Sequence, residues 1–300
     1  MSVPADEVLR SDYRPPAWTI PHVRLDFQLE AERTLVRAEF RLQPDPLQAR
    51  QALVLDGEDL ELLEIAIDGQ ALSDDQYSHV QGKLHLPGVE KACTLQTTVA
   101  IRPSANSALE GLYTSGDLLL TQCEAEGFRR ITFFIDRPDV LSIFDVSLQA
   151  DAERYPVLLA NGNPVSHETL ADGQQRAQWH DPFPKPSYLF AIAAGRMDHV
   201  SAPFITAEDR PVTVNIWCEP GFAQRCEFAL AAALRAMRWD EQRFGRCYDL
   251  EVFNIVAAQD FTMGAMENKG LNIFNARYIL ADIDSATDAG SQYVSLAVVA

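Results

Sequence analysis

The run Asp260-Phe-Thr-Met-Gly-Ala-Met-Glu-Asn-Lys-Gly-Leu-Asn-Ile-Phe274 sets one carboxylate, Glu267, beside the small residues Gly264 and Ala265, just ahead of an alternating strand pattern. That combination suits a ligand with both a charged amine and an extended backbone. An edge strand offers unpaired N–H and C=O groups to which a peptide can add as one more strand, and the missing side chain at Gly264 lets it come close. A carboxylate at the head of such a peptide would select a protonated α-amine, because a charge-assisted hydrogen bond in a poorly solvated cleft is stronger than a neutral one. Taken by itself, the run reads more plainly as a glycine-containing turn with an exposed Glu.

A second run, Thr121-Gln-Cys-Glu-Ala-Glu-Gly-Phe-Arg-Arg130, follows a predicted strand and carries Glu124, Glu126, Arg129 and Arg130. As a solvated loop, its local ion pairs would be worth little. As a functional segment, it would bring a second carboxylate from another domain to Glu267.

The elements that must position these runs are mostly strands. Between Trp18 and Ala194, short alternating stretches recur at Val23–Leu29, Leu35–Leu42, Leu60–Ile67, Leu84–Leu86, Leu95–Ile101 and Leu118–Thr121, broken by turns such as Asp68-Gly69 and Pro87-Gly88. Period-two alternation predicts an antiparallel sheet with one wet face, hence a β-sandwich or a large curved sheet. Asp181-Pro-Phe-Pro-Lys-Pro186 reads as rigid punctuation, and Tyr188–Gly195 as a last buried strand before a boundary near 196. Residues 1–196 and 197–300 are thus two expected domains.

The second domain reads as mixed α/β. Strands at Val212–Trp217 and Val252–Ala257 flank a helix opened by Pro220-Gly221, with Cys226, Leu230, Ala233, Leu234 and Met237 on its core face and Gly245 closing it. Leu271, Ile273 and Arg277–Leu280 are expected strand positions. Gln292–Ala300 resembles the first turns of a buried helix, so the chain reads as a fragment.

Composition narrows the partners. The chain has 300 residues, 47% apolar, with 25 Lys plus Arg against 43 Asp plus Glu, a formal net charge of -18. A nucleic-acid partner is disfavoured and an amine-bearing one favoured. The acidic N-terminus shows no secretory pattern, and no run nears the roughly 18 apolar residues of a membrane span. Cys93, Cys123, Cys218, Cys226 and Cys247 are odd in number and scattered, which points to a reducing cytoplasm without a disulfide framework.

The exopeptidase-like run Gly264-Ala-Met-Glu-Asn268 with its flank to Asn275, Gln122–Arg130, Arg137-Pro-Asp139, Asp181–Phe190 and Trp239–Gly245 together resemble the M1 zinc aminopeptidases, in particular the bacterial aminopeptidase N branch. The resemblance spans nearly the whole chain. It implies a mostly β N-terminal domain followed by the start of an α/β thermolysin-like catalytic domain. It implies that Glu267 and Glu124 bind the free α-amine of a peptide substrate, that Gly264 and Ala265 hold its backbone, and that Gln122, Met263 and Met266 lie at or near the first side-chain pocket. Asn268 belongs to the same substrate-binding run. The Glu124-Ala125 bond becomes a candidate cis peptide.

The family's zinc site needs a His-Glu-x-x-His helix and a later Glu ligand. Here the histidines are His22, His79, His85, His167, His180 and His199, none four apart and none after the Glu267 run, so each is expected to be a surface or structural residue. The resemblance therefore implies a metalloaminopeptidase whose Zn2+ belongs to a longer protein, with no metal held by these 300 residues and no activity from them alone. The competing reading is a non-catalytic, M1-like peptide-binding or scaffold protein.

Overall fold

The computed structural model describes residues 9–48 and 51–281. The expected helix at 292–300 lies outside them. Nine of the first strands are β1 (Trp18–Gln28), β2 (Thr34–Pro44), β3 (Leu53–Asp56), β4 (Glu61–Ile67), β5 (Gln70–Ala71), β6 (Ser78–Val80), β7 (Lys83–Leu86), β8 (Cys93–Ile101) and β9 (Gly111–Ser115). Then come β10 (Leu118–Gln122), β11 (Leu141–Asp151), β12 (Val157–Ala160), β13 (Asn163–Thr169), β14 (Gln174–Pro186) and β15 (Ile192–Gly195). They form an eight-stranded sheet in the order β13-β14-β11-β1-β2-β8-β4-β5, a four-stranded sheet β12-β15-β10-β9 and a three-stranded sheet β3-β7-β6.

The alternation in the sequence decides which side of each strand faces in. In β1 the buried positions are Trp18 and Ile20, then Val23, Leu25 and Phe27; the switch from even to odd coincides with a register irregularity between Thr19 and His22. One pairing departs from the antiparallel expectation: β1 and β11 run parallel, His22 opposite Ile143 and Phe27 opposite Leu148. Alternation reports facing, not direction, and β11 is brought in by a long connection that no local pattern encodes.

The Asp181–Pro186 punctuation is a second correction, since β14 runs through it. Prolines at 182, 184 and 186 fall at every second position, so the three missing donors lie along one edge. β13 pairs with β14 only as far as His180, and beyond it β14 has a partner strand only in β11. A third correction concerns Tyr188 and Leu189, which form a 3-10 turn over Ser187–Leu189, leaving β15 to begin at Ile192.

β15 ends at Gly195, and β16 (Asp198–Ile205) opens a new sheet with β17 (Pro211–Cys218), β18 (Val252–Ala258), β19 (Ala265–Met266) and β20 (Leu271–Asn275), in the order β16-β17-β18-β20-β19. Helix α1 (Glu227–Phe244) connects β17 to its parallel neighbour β18. Cys226, Leu230 and Ala233 are buried on its inner side as expected, and Gly245 ends it in the left-handed conformation, φ 65°, with its N–H bonded to Glu241 O at 2.9 Å. The Arg277–Leu280 strand is not formed. Asn275 Oδ1 instead accepts the Arg277 N–H at 3.2 Å and starts a 3-10 turn over Ala276–Tyr278.

The second sheet is buried on both faces. Ile255, Ala257 and Phe274 pack with α1 residues, whereas Val256, Ala258, Met266, Leu271 and Ile273 join the core built by the first sheets. The sheet that carries Glu267 thereby shares a core with the sheets from which the Glu124 segment emerges.

Candidate functional site

Gln122 is the last residue of β10, and the chain turns there through Glu124, Ala125 and Glu126, all exposed, with the Glu124–Ala125 peptide cis. The turn returns tightly because of Gly127, where a Cβ would stand 2.5 Å from Gln122 O. Phe128, 0% exposed, then plugs into an aromatic cluster, 4.9 Å from Phe134 and 5.1 Å from Phe190 between ring centroids.

The two arginines that follow are not a solvated loop's. Arg129 gives both its backbone N–H and its Nε–H to Asp136 Oδ2, each at 3.1 Å, and Ser187 Oγ donates to the other carboxylate oxygen at 2.6 Å. Burial pushes the Asp136 carboxyl up, and the Ser187 and Arg129 hydrogen bonds pull it back. Arg130 bridges Glu58 at 2.8 Å and Glu110 at 3.3 Å. The segment holding Glu124 is therefore fastened at its far end by a buried network.

The Glu267 run forms β19, the edge of its sheet, with Ala265 opposite Phe274 and Met266 opposite Ile273. Its other side has no partner strand among the described residues. An added Cβ at Gly264 would meet only Tyr278 Cε2, at 3.5 Å, so the glycine leaves room rather than answering a crowded neighbour. The pleat sends successive side chains to opposite sides. Glu267 is exposed and Ala265 half-buried, but Met266 is 0% exposed within the core. Met266 thus seats the strand and is not on an open pocket wall. Asn268, 1% exposed, is also turned inward: its backbone O accepts the Leu271 N–H at 3.0 Å and its Nδ2 donates to Met266 O at 3.4 Å, so it shapes the turn into β20.

The two segments touch. Gln122 Nε2 donates to Met263 Sδ at 2.9 Å and to Glu124 O at 3.2 Å, and its Oε1 is buried without a hydrogen-bond partner. Met263 is 37% exposed beside it. Glu124 and Glu267 are both exposed on these two touching segments, whereas Glu126, also exposed, pairs with Arg129 at 3.2 Å.

Sequence reasoning missed the posts at the start of the Glu267 run. Tyr113 OH donates to Asp260 O at 3.1 Å, Ser115 Oγ donates to Asp260 Oδ2 at 3.2 Å and accepts the Asp260 N–H at 3.1 Å. Burial, with Asp260 adding to it, pushes the Tyr113 phenol up, so it stays a neutral donor. No local pattern marks a Tyr and a Ser of β9 as partners of a distant loop.

Arg137-Pro-Asp139 is a local fork: Arg137 Nε and Nη2 donate to Asp139 Oδ1 and Oδ2 at 2.8 and 2.6 Å, and Tyr13 OH donates to Oδ2 at 3.0 Å. The Arg137 hydrogen bonds hold the Asp139 carboxyl below its usual value. A carboxyl lowered in the folded state stabilises above its unfolded pKa, and that stability is lost as pH falls through the folded one. Asp139→Asn is expected to cost about 1 kcal/mol at pH 7, with the gap closing below about pH 4. Urea midpoints at pH 7 and pH 3 check this, and an equal gap at both would exclude the ionised fork as the cause.

Most histidines have structural partners: His22 Nε2 and His180 Nδ1 share Asp145 at 2.7 and 2.6 Å, His167 pairs with Gln175, and His199 stacks on Trp217. Among the described residues no group of three His, Cys, Asp or Glu could hold a metal ion. No helix of the described residues is long and apolar enough to cross a membrane.

Comparison with known proteins bears on the whole chain. Residues 19–189 match the peptidase M1 N-terminal domain, and residues 228–300 match the peptidase family M1 domain. The chain is 49% identical over 288 residues to aminopeptidase N of Caulobacter vibrioides, covering 96% of this chain and 33% of the relative. It is 45% identical over 279 residues to aminopeptidase N of Escherichia coli, 93% of this chain and 32% of the relative. The crystal structure of Legionella pneumophila aminopeptidase A in complex with aspartic acid superposes with a TM-score of 0.91 at 29% identity, over 96% of this chain and 34% of that one. The chain spans about a third of the length of the curated relatives it matches.

Proposed function

The chain belongs to the M1 peptidase family, and from that premise we propose that it supplies the amine-anchoring and backbone-binding part of an aminopeptidase site. Glu124 and Glu267 receive the protonated α-amine of a peptide. The free edge of β19 at Gly264 and Ala265 pairs with its backbone, and Gln122 and Met263 border its first side chain. Fixing the amine at the end of an edge strand presents only the first peptide bond, which is how such a site would select N-terminal residues.

The observation that carries this reading is the Gln122–Met263 contact, which joins the two acid-bearing segments and leaves a buried, unpartnered acceptor on Gln122. The Legionella relative adds support, since the aspartic acid in its complex has a free α-amine. In this reading the part of these residues is to bind and orient the peptide. The five cysteines are free thiols, which supports the reducing cytoplasm as the compartment.

Calorimetric titration of the chain with leucine amide and with N-acetyl-leucine amide tests the proposal. A preference for the free amine of at least about tenfold is expected from one charge-assisted hydrogen bond. Equal affinities would overturn it.

A further inference from the structure

We propose that Asn161 is a positioning residue for the amine anchor, holding the backbone that follows Glu267 against the first domain; this rests on the amine-anchoring role proposed above. Asn161 lies in the turn between β12 and β13 and is 1% exposed. Its Nδ2 donates to Leu189 O at 3.1 Å and to Lys269 O at 2.9 Å, and its Oδ1 accepts the Ala191 N–H at 2.6 Å. One side chain therefore links the approach to β15 with the residue two beyond Glu267. A buried amide with both donors and its acceptor engaged has a single orientation, and a backbone carbonyl bonded to it has a single position.

The neighbours make this junction tight. Gly162 adopts φ 86°, and a Cβ there would stand 2.2 Å from His180 O; a Cβ on Gly270 would stand 3.2 Å from Gly162 N. Backbone meets backbone across the two domains, and only glycine pairs allow it. Asn163 Oδ1 accepts the Glu251 N–H at 2.7 Å, and the Lys269 ammonium lies 4.1 Å from the centre of the Phe183 ring and 2.8 Å from Asp249 Oδ2. The Glu267 run thus hangs between two posts on the first domain: Ser115 and Tyr113 at Asp260, and Asn161 at Lys269. β19 itself is two residues long and exposed along one edge, too little to hold the carboxylate's position without the posts.

A structural role alone would lower stability without changing what the site selects. A positioning role changes selection. The test titrates the chain and its variants Asn161→Ala, Asn161→Asp and Asn163→Ala with leucine amide and N-acetyl-leucine amide, with thermal melting of each in parallel. Asn161→Asp keeps the size and the acceptor for the Ala191 N–H but loses both donors. Both Asn161 variants are expected to lower the preference for the free amine about five- to tenfold, the value of one neutral hydrogen bond. Asn163→Ala, which severs only the Glu251 contact, is expected to keep the preference even where its melting temperature falls. An unchanged preference in a folded Asn161 variant, an equal loss in Asn163→Ala, or failure of both Asn161 variants to fold would overturn the inference. Absence of any amine preference in the parent chain would instead overturn the amine-anchoring role, before the variants are compared.

Discussion

Exchanging Glu267 for glutamine is expected to lower the chain's affinity for leucine amide about 10- to 100-fold while leaving N-acetyl-leucine amide binding unchanged. The substitution keeps side-chain length and removes the charge, and a hydrogen bond to a charged partner contributes about 1.5–3 kcal/mol against about 1 for a neutral pair. Glu267 is exposed at the end of an edge strand, so folding stability is expected to move by less than about 0.5 kcal/mol, which separates a binding effect from a structural one. Glu124→Gln shifts affinity in the same direction. Because both carboxylates face one ammonium in the proposed site, the double variant is expected to lose less than the sum of the two. Unchanged calorimetric affinity in Glu267→Gln would remove it from the anchor.

The second large effect lies beneath Glu124. Phe128→Ala empties a fully buried position ringed by Phe134, Phe144 and Phe190, at centroid distances of 4.9, 6.0 and 5.1 Å. Removing a buried aromatic ring costs about 3–5 kcal/mol, the sum of lost transfer energy and the cavity left behind. Phe128 follows Gly127 directly in the 3-10 turn Gly127–Arg130, so its ring seats the segment that presents Glu124. The urea midpoint is expected to fall steeply. A loss below about 1 kcal/mol would mean that the Arg129–Asp136 hydrogen bonds, rather than the ring, seat the turn.

Much of this arrangement is legible along the chain. Alternation placed Val36, Ala38, Phe40 and Leu42 inward on β2, and helical spacing with Gly245 placed and ended α1. The Gly264–Asn268 run and the Gln122–Arg130 run were both readable as amine-binding candidates. Within them the burial of Met266 was not readable, because which face of a two-residue strand is covered depends on sheets formed more than a hundred residues earlier in the chain rather than on its own spacing. The same reason hid the parallel β1–β11 pair, the continuity of β14 through its prolines and the roles of Tyr113, Ser115 and Asn161.

By itself, the sequence determined the β-rich elements, the helix end at Gly245 and the two acidic segments, since side-chain type, periodicity and backbone permissiveness act over a few residues. Only the tertiary structure decided that these segments meet through Gln122 and Met263, and that the buried Asn161 bonds the backbone at Lys269, in the turn after Glu267. Contacts between residues far apart in the chain depend on which surfaces remain open after each sheet has closed, and that is a property of the assembled core.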